Sequence, residues 1–136
     1  YYFYEAHLKN RGLAQAQYIS PIRDAIAAGM KPTNHTDFVV APLDHMMMLW
    51  SAVNRISRAG ASVDPGQRLT PNEALQAMTI NVASQYDEAD TKGSLVKGKR
   101  ADMVILDKNP LKVDPMTIRD IKIQETIKDG KTIYKK

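Results

Sequence analysis

Two residue types able to do chemistry near neutral pH stand two apart in Pro32-Thr33-Asn34-His35-Thr36-Asp37-Phe38: the imidazole of His35 and the carboxylate of Asp37. Both groups ligate divalent metals such as zinc and both accept protons, so the pair suits metal binding or proton transfer. On a strand, alternate side chains share a face, which projects His35 and Asp37 to one side and Thr36 to the other. The competing reading is structural, because a polar His-x-Asp at a strand end also makes a turn held by Asx hydrogen bonds. Short motifs of this kind are common, and the flanking sequence has to separate the two.

The elements that must position the pair follow from local pattern. Ser20 as N-cap and Pro21 at the first helical position, with Ile22, Ala25 and Ile26 at helical spacing and Gly29 as the stop, predict a short helix. A strand from Met30 to Thr36 is expected to follow it directly, and Phe38 to Asp44 reads as extended chain ended by Pro42. Asp44 can cap a helix from His45 to about Arg58 whose stripe is Met46, Leu49, Trp50, Val53 and Ile56. A methionine-rich stripe at that spacing reads as core, since methionine fills irregular gaps.

Further along, Asp64-Pro65-Gly66 is a turn, and Thr70-Pro71-Asn72-Glu73 is a capping box opening a helix to about Tyr86. The period then changes to that of strands. Leu95 to Lys99 predicts a strand and tight turn, Ala101 to Asp107 a buried strand, and Ile121 to Lys128 with Lys131 to Lys135 a hairpin about Asp129-Gly130. Before all this, Tyr1-Tyr2-Phe3-Tyr4 and the residues after it show no clear period, Asn10-Arg11-Gly12 reads as a turn, and His7 as a surface or packing residue.

Composition narrows the classes. At 136 residues, with 43% hydrophobic and 25% charged side chains, the chain has the size and balance of one globular domain. The net charge of +4 comes from dispersed lysines such as Lys92, Lys97, Lys99 and Lys135, with no aromatic residues interleaved for base stacking, so no nucleic-acid partner is expected. No apolar run is long enough for a bilayer, so no membrane partner is expected either. Cysteine is absent, which excludes disulfides and thiolate metal sites. The compartment is left open by this, with the cytoplasm slightly favoured. The chain is expected to be a piece of a longer polypeptide.

Several segments in this order resemble a known family. They are Thr70-Pro71-Asn72-Glu73-Ala74-Leu75, Thr79-Ile80-Asn81-Val82-Ala83, Lys92-Gly93-Ser94-Leu95, Gly98-Lys99-Arg100-Ala101-Asp102-Met103-Val104-Ile105-Leu106-Asp107 and Thr126-Ile127-Lys128-Asp129-Gly130-Lys131. Together they resemble the C-terminal end of the amidohydrolase superfamily. The stretch from Ser20-Pro21-Ile22 to His35-Thr36-Asp37, with Ala52-Val53-Asn54-Arg55 after it, is most similar to the amidohydrolase-3 or YtcJ-like branch.

The resemblance implies an α/β fold: residues 1–90 as the last unit of a (β/α)8 barrel, and residues 91–136 as the C-terminal strands of a small composite β-sandwich. It implies a metal-dependent hydrolase acting on small molecules at carbon–nitrogen bonds other than peptide bonds, with zinc the expected metal. Such a metal lowers the pKa of bound water from far above the physiological range to about 7. Carried over onto Asp37, the family's strand-eight carboxylate ligates the metal, takes the water's proton and passes it to the leaving nitrogen. His35 would support Asp37 from behind, with packing as its other role. The family's His-x-His pair, its lysine or glutamate bridge and its two later histidines have no counterpart here. The chain alone is therefore expected to be metal-free and inactive, and, with a strand edge and an apolar helix face bare, to self-associate. The alternative is an interaction domain that keeps the scaffold without the chemistry.

Overall fold

The computed structural model describes residues 1–136 as a mixed α/β chain with five α-helices and one small sheet. Helix α1 (Tyr4–Gln17) runs through the expected turn at Asn10-Arg11-Gly12, but breaks there, because Gly12 takes φ 76°, ψ 170° inside it. Its ends are drawn together by Gln17 Nε2, which donates to the Tyr4 hydroxyl at 2.8 Å. Helix α2 (Ile22–Ala27) begins one residue later than expected: Pro21 is the capping residue and Ser20 stands before it at φ 51°. Gly29, at φ 81°, ends that helical stretch as expected.

Helix α3 (His45–Asn54) starts as expected, with the Asp44 carboxylate accepting from the Met47 amide at 2.9 Å. It stops short of Arg58, because Arg55 enters the left-handed region at φ 48°. A 3-10 turn at Pro65–Gln67 leads to helix α4 (Pro71–Met78), whose Thr70–Glu73 capping box is complete in both directions. The helix expected to reach Tyr86 is two helices. Thr79, at φ −130°, ψ −92°, breaks it, its hydroxyl donating to Leu75 O at 2.7 Å, and α5 (Ile80–Gln85) follows.

Strands β1 (Met103–Leu106), β2 (Ile123–Lys128) and β3 (Lys131–Lys135) form one antiparallel sheet in sequence order. The β2–β3 hairpin turns on Asp129 and Gly130, both at positive φ, as its sequence requires. Two expectations fail here. Leu95 to Lys99 is a turn without a strand, and β1 is exposed at Met103, Val104 and Ile105. Its apolar side chains have no second layer to bury them.

The core lies between α3, α4 and a 3-10 segment, Pro115–Asp120. Leu49, Trp50, Val53, Leu69, Ala74 and Ile118 form it. Trp50 ties the segment down: its Nε1–H donates to Met116 O at 3.0 Å, and Arg119 stacks on its ring at 4.9 Å. Buried Asn54 does the same one turn on, donating to Pro115 O at 2.9 Å. Outside this core the chain is thinly covered. Its accessible surface is 8912 Å2, against about 7,100 Å2 for a compact monomer of this mass. No helix is long and apolar enough to cross a membrane.

A bidentate ion pair fastens α2 to the start of α4. Arg23 Nη1 and Nη2 donate to the two Glu73 oxygens at 2.6 and 2.7 Å, and Nη2 also to Arg68 O at 2.8 Å. The Arg23 guanidinium, helped by the Thr70 hydroxyl and amide, holds the Glu73 carboxyl at about 2, below its ordinary 4.5. A carboxyl that ionises more easily folded than unfolded stabilises the fold above its unfolded pKa. That stability is lost as pH falls from about 4.5 towards 2. Both side chains are about a quarter to a third exposed, so solvent screening reduces the pair to about 1–2 kcal/mol. Glu73→Gln keeps a residue able to complete the capping box and removes the charge. Urea unfolding should show it weaker than the parent by about 1 kcal/mol at pH 7, with the gap closing by pH 2–2.5. A gap unchanged across that range would refute the assignment.

Candidate functional site

The segment expected to be a strand, Met30 to Thr36, has no ladder partner and is irregular coil. It is held from one side. The Asn34 amide donates to Ala77 O at 2.9 Å, and Asn81 Nδ2 donates to Pro32 O at 3.0 Å, strapping the segment to α4 and α5. Beyond Thr36 the chain turns. Asp37 takes φ 53°, a left-handed conformation that aspartate tolerates better than most residues, and its carbonyl accepts from the Val40 amide at 2.7 Å. The expectation of extended chain from Phe38 onward is corrected by this turn.

The geometry of the pair follows from the turn. Strand alternation does not apply, and His35 Nδ1 accepts from the Asp37 amide at 3.1 Å. The imidazole is thus engaged by the backbone of Asp37, with its neutral form protonated on Nε2. Both residues are exposed. The local chemistry is the Asx-like turn read as the structural alternative, except that the histidine ring supplies the acceptor.

His35 and Thr36 line a cavity of about 370 Å3, whose walls include Tyr1, Tyr4, Met47, Met48 and Ile56. Asp37 is not among its lining residues. His7 and Arg55 are, although the sequence marked neither as a site residue: His7 reads as a surface or packing residue, and Arg55 enters only as the end of the Ala52-Val53-Asn54-Arg55 segment. Tertiary structure brings them in. The kinked α1 carries His7, and the left-handed turn after α3 directs the Arg55 side chain to the carbonyls of Val63, Ser20 and Ile19 at 2.8, 3.1 and 2.7 Å.

No three His, Asp or Glu side chains come together as a set that could hold a metal ion. Asp37 and His35 are two residues, and the bond from the Asp37 amide already occupies one ring nitrogen. The residues of this chain therefore do not fit a metal by themselves, since tetrahedral zinc takes three or four protein ligands.

The chain as a whole is similar to known proteins. The Amidohydro_3 profile of the amidohydrolase family matches residues 2–134. The chain is 30% identical over 116 residues to an N-substituted formamide deformylase of Arthrobacter pascens, covering 85% of this chain and 21% of that protein. It is 26% identical over 114 residues to the amidohydrolase YtcJ of Bacillus subtilis, covering 82% of this chain and 22% of that one. An imidazolonepropionase of Clostridium tetani is 44% identical over 64 residues, which is 47% of this chain and 15% of the enzyme. The chain thus spans about a fifth of the length of the curated relatives it matches. No solved structure matches it. With a family profile that runs almost end to end, the chain belongs to the amidohydrolase family, in the amidohydrolase-3 branch of its superfamily.

Proposed function

We propose that the chain is the C-terminal part of a hydrolase acting on carbon–nitrogen bonds other than peptide bonds in small molecules, and that Asp37 is its contribution to the reaction. The family profile over residues 2–134 supports this reading. So do relatives named as a formamide deformylase and an imidazolonepropionase. In it, residues 1–90 end a barrel and residues 91–136 give strands to a composite sandwich. Asp37 would supply one ligand to a divalent metal, zinc by preference, whose other ligands would lie in the rest of the protein. As general base, its carboxylate takes a proton from the attacking water and returns it to the departing nitrogen. His35 orients the turn that presents it. The decisive experiment is Asp37→Asn in the full-length protein.

The chain alone should then be inactive and sticky. Phe38, Val39, Val40 and Leu43, 61–80% exposed beside Asp37, form an apolar ridge with no cover. Dialysed against zinc, the chain is expected to keep no stoichiometric metal and to sediment above its monomer mass of 15.2 kDa. One tightly held zinc per chain would overturn the assignment of the remaining ligands to other parts of the protein. A strictly monomeric species would overturn the role of the ridge.

A further inference from the structure

The cavity beside His35 has features that hydrolysis at Asp37 does not use. Its volume of about 370 Å3 lies within the range of small-molecule sites, which are mostly apolar with a few fixed polar groups. Tyr1 is set edge-on to both Tyr2 and Trp50, with ring centroids at 4.8 and 6.0 Å, so one wall is aromatic. Met47 and Met48 add a polarizable surface that accommodates varied shapes.

Arg55 is the guanidinium of this cavity, whose lining also holds Asp44, His7, His35 and Tyr1 with its terminal ammonium. The guanidinium makes three hydrogen bonds, all to backbone carbonyls, and no carboxylate bonds to it. Carbonyls orient the planar group without neutralising it. Three of its five N–H groups are used, leaving two donors on a rigid, half-buried cation. Burial pushes the guanidinium pKa down from its ordinary value, and the Asp64 carboxylate acts the other way. Asp44, also in the lining, is engaged in capping α3 through the Met47 amide.

We propose that this cavity binds a small organic anion, a carboxylate on an aromatic or aliphatic body, with Arg55 receiving the charge and the Tyr1 and Met47–Met48 walls taking the apolar part. A planar cation with free donors matches a carboxylate, and the ring-lined space matches its body. The site goes beyond the hydrolase reading and does not involve Asp37.

Benzoate is the probe and benzyl alcohol its uncharged counterpart, each titrated into the unaltered chain and followed by backbone amide NMR. Benzoate is expected to give saturable shifts centred on Ser51, Ala52 and Ile56, with benzyl alcohol at least tenfold weaker. Arg55→Met should erase that preference. Because it also removes three carbonyl bonds and with them some of the fold, the comparison of the two probes on the unaltered chain is the primary test. Equal binding of the two, shifts away from the cavity, or no saturable binding of benzoate would each overturn the proposal. Neither measurement involves turnover, so failure here is distinguishable from failure of the hydrolase reading.

Discussion

Asp37→Asn in the full-length protein is expected to lower kcat by about 10³-fold, within the range of 10²–10⁴ that a positioned general base contributes. Asparagine is the informative replacement for a local reason. The residue at this position sits at φ 53°, and asparagine is the other side chain that enters the left-handed region at little cost. The turn from Asp37 to Val40 and the amide bond to His35 both use backbone atoms of residue 37, so they survive the change. In the 136-residue chain, where Asp37 is exposed, stability should therefore move by less than about 0.5 kcal/mol, while the carboxylate is removed. Steady-state kinetics beside urea unfolding separates the two effects. Turnover kept within threefold of the parent would sink the hydrolase reading of this residue. A protein that then still held its partner would answer to the alternative of an interaction domain.

The parts of this chain that its sequence makes legible are those whose hydrogen bonds close locally. Thr70 and Glu73 satisfy each other's amides within one turn, Asp44 reaches only three residues to the Met47 amide, and Asp129-Gly130 needs only its own positive φ. Strands are different, because a strand exists only where another supplies its partners. Met30 to Thr36 has no neighbour to pair with and forms no strand, and β1 has neighbours on one edge but no layer above it. The site divides in the same way. Asp37 and His35 are visible as chemistry, yet their relation is set by a turn that strand alternation does not anticipate. His7 and Arg55 reach the cavity through a helix kink and a left-handed cap, and neither leaves a periodic trace. The break at Thr79 is not marked in the sequence either, although its carbonyl oxygen lies within 3.2 Å of where a Cβ at Gly93, fourteen residues downstream, would stand.

Gly93→Ala is expected to cost about 3–4 kcal/mol, near the top of the range for single substitutions. Gly93 is at φ 81°, and a Cβ built there would meet the Ala83 Cβ at 2.7 Å, the Ile80 Cα at 2.9 Å and the Thr79 carbonyl oxygen at 3.2 Å. Two of these three are backbone atoms at the N-terminal end of α5, which cannot rotate away as a side chain would. Nor can the loop retreat. Lys99 Nζ donates to Lys92 O at 3.3 Å, to Ser94 Oγ at 2.8 Å and to Ala89 O, clamping the residues on either side of Gly93. The conformational part of the cost is separable, because Gly98 also has positive φ, 97°, with nothing within 4 Å of its Cβ position. Gly98→Ala should therefore lose only about 1–2 kcal/mol, the penalty of the left-handed backbone alone. The excess at Gly93 is overpacking against α5. Urea unfolding of both variants beside the parent measures that excess directly. Equal losses at the two positions would mean that the loop yields, and that the approach of Gly93 to Ile80 and Ala83 does not hold the helical region to the strands that follow.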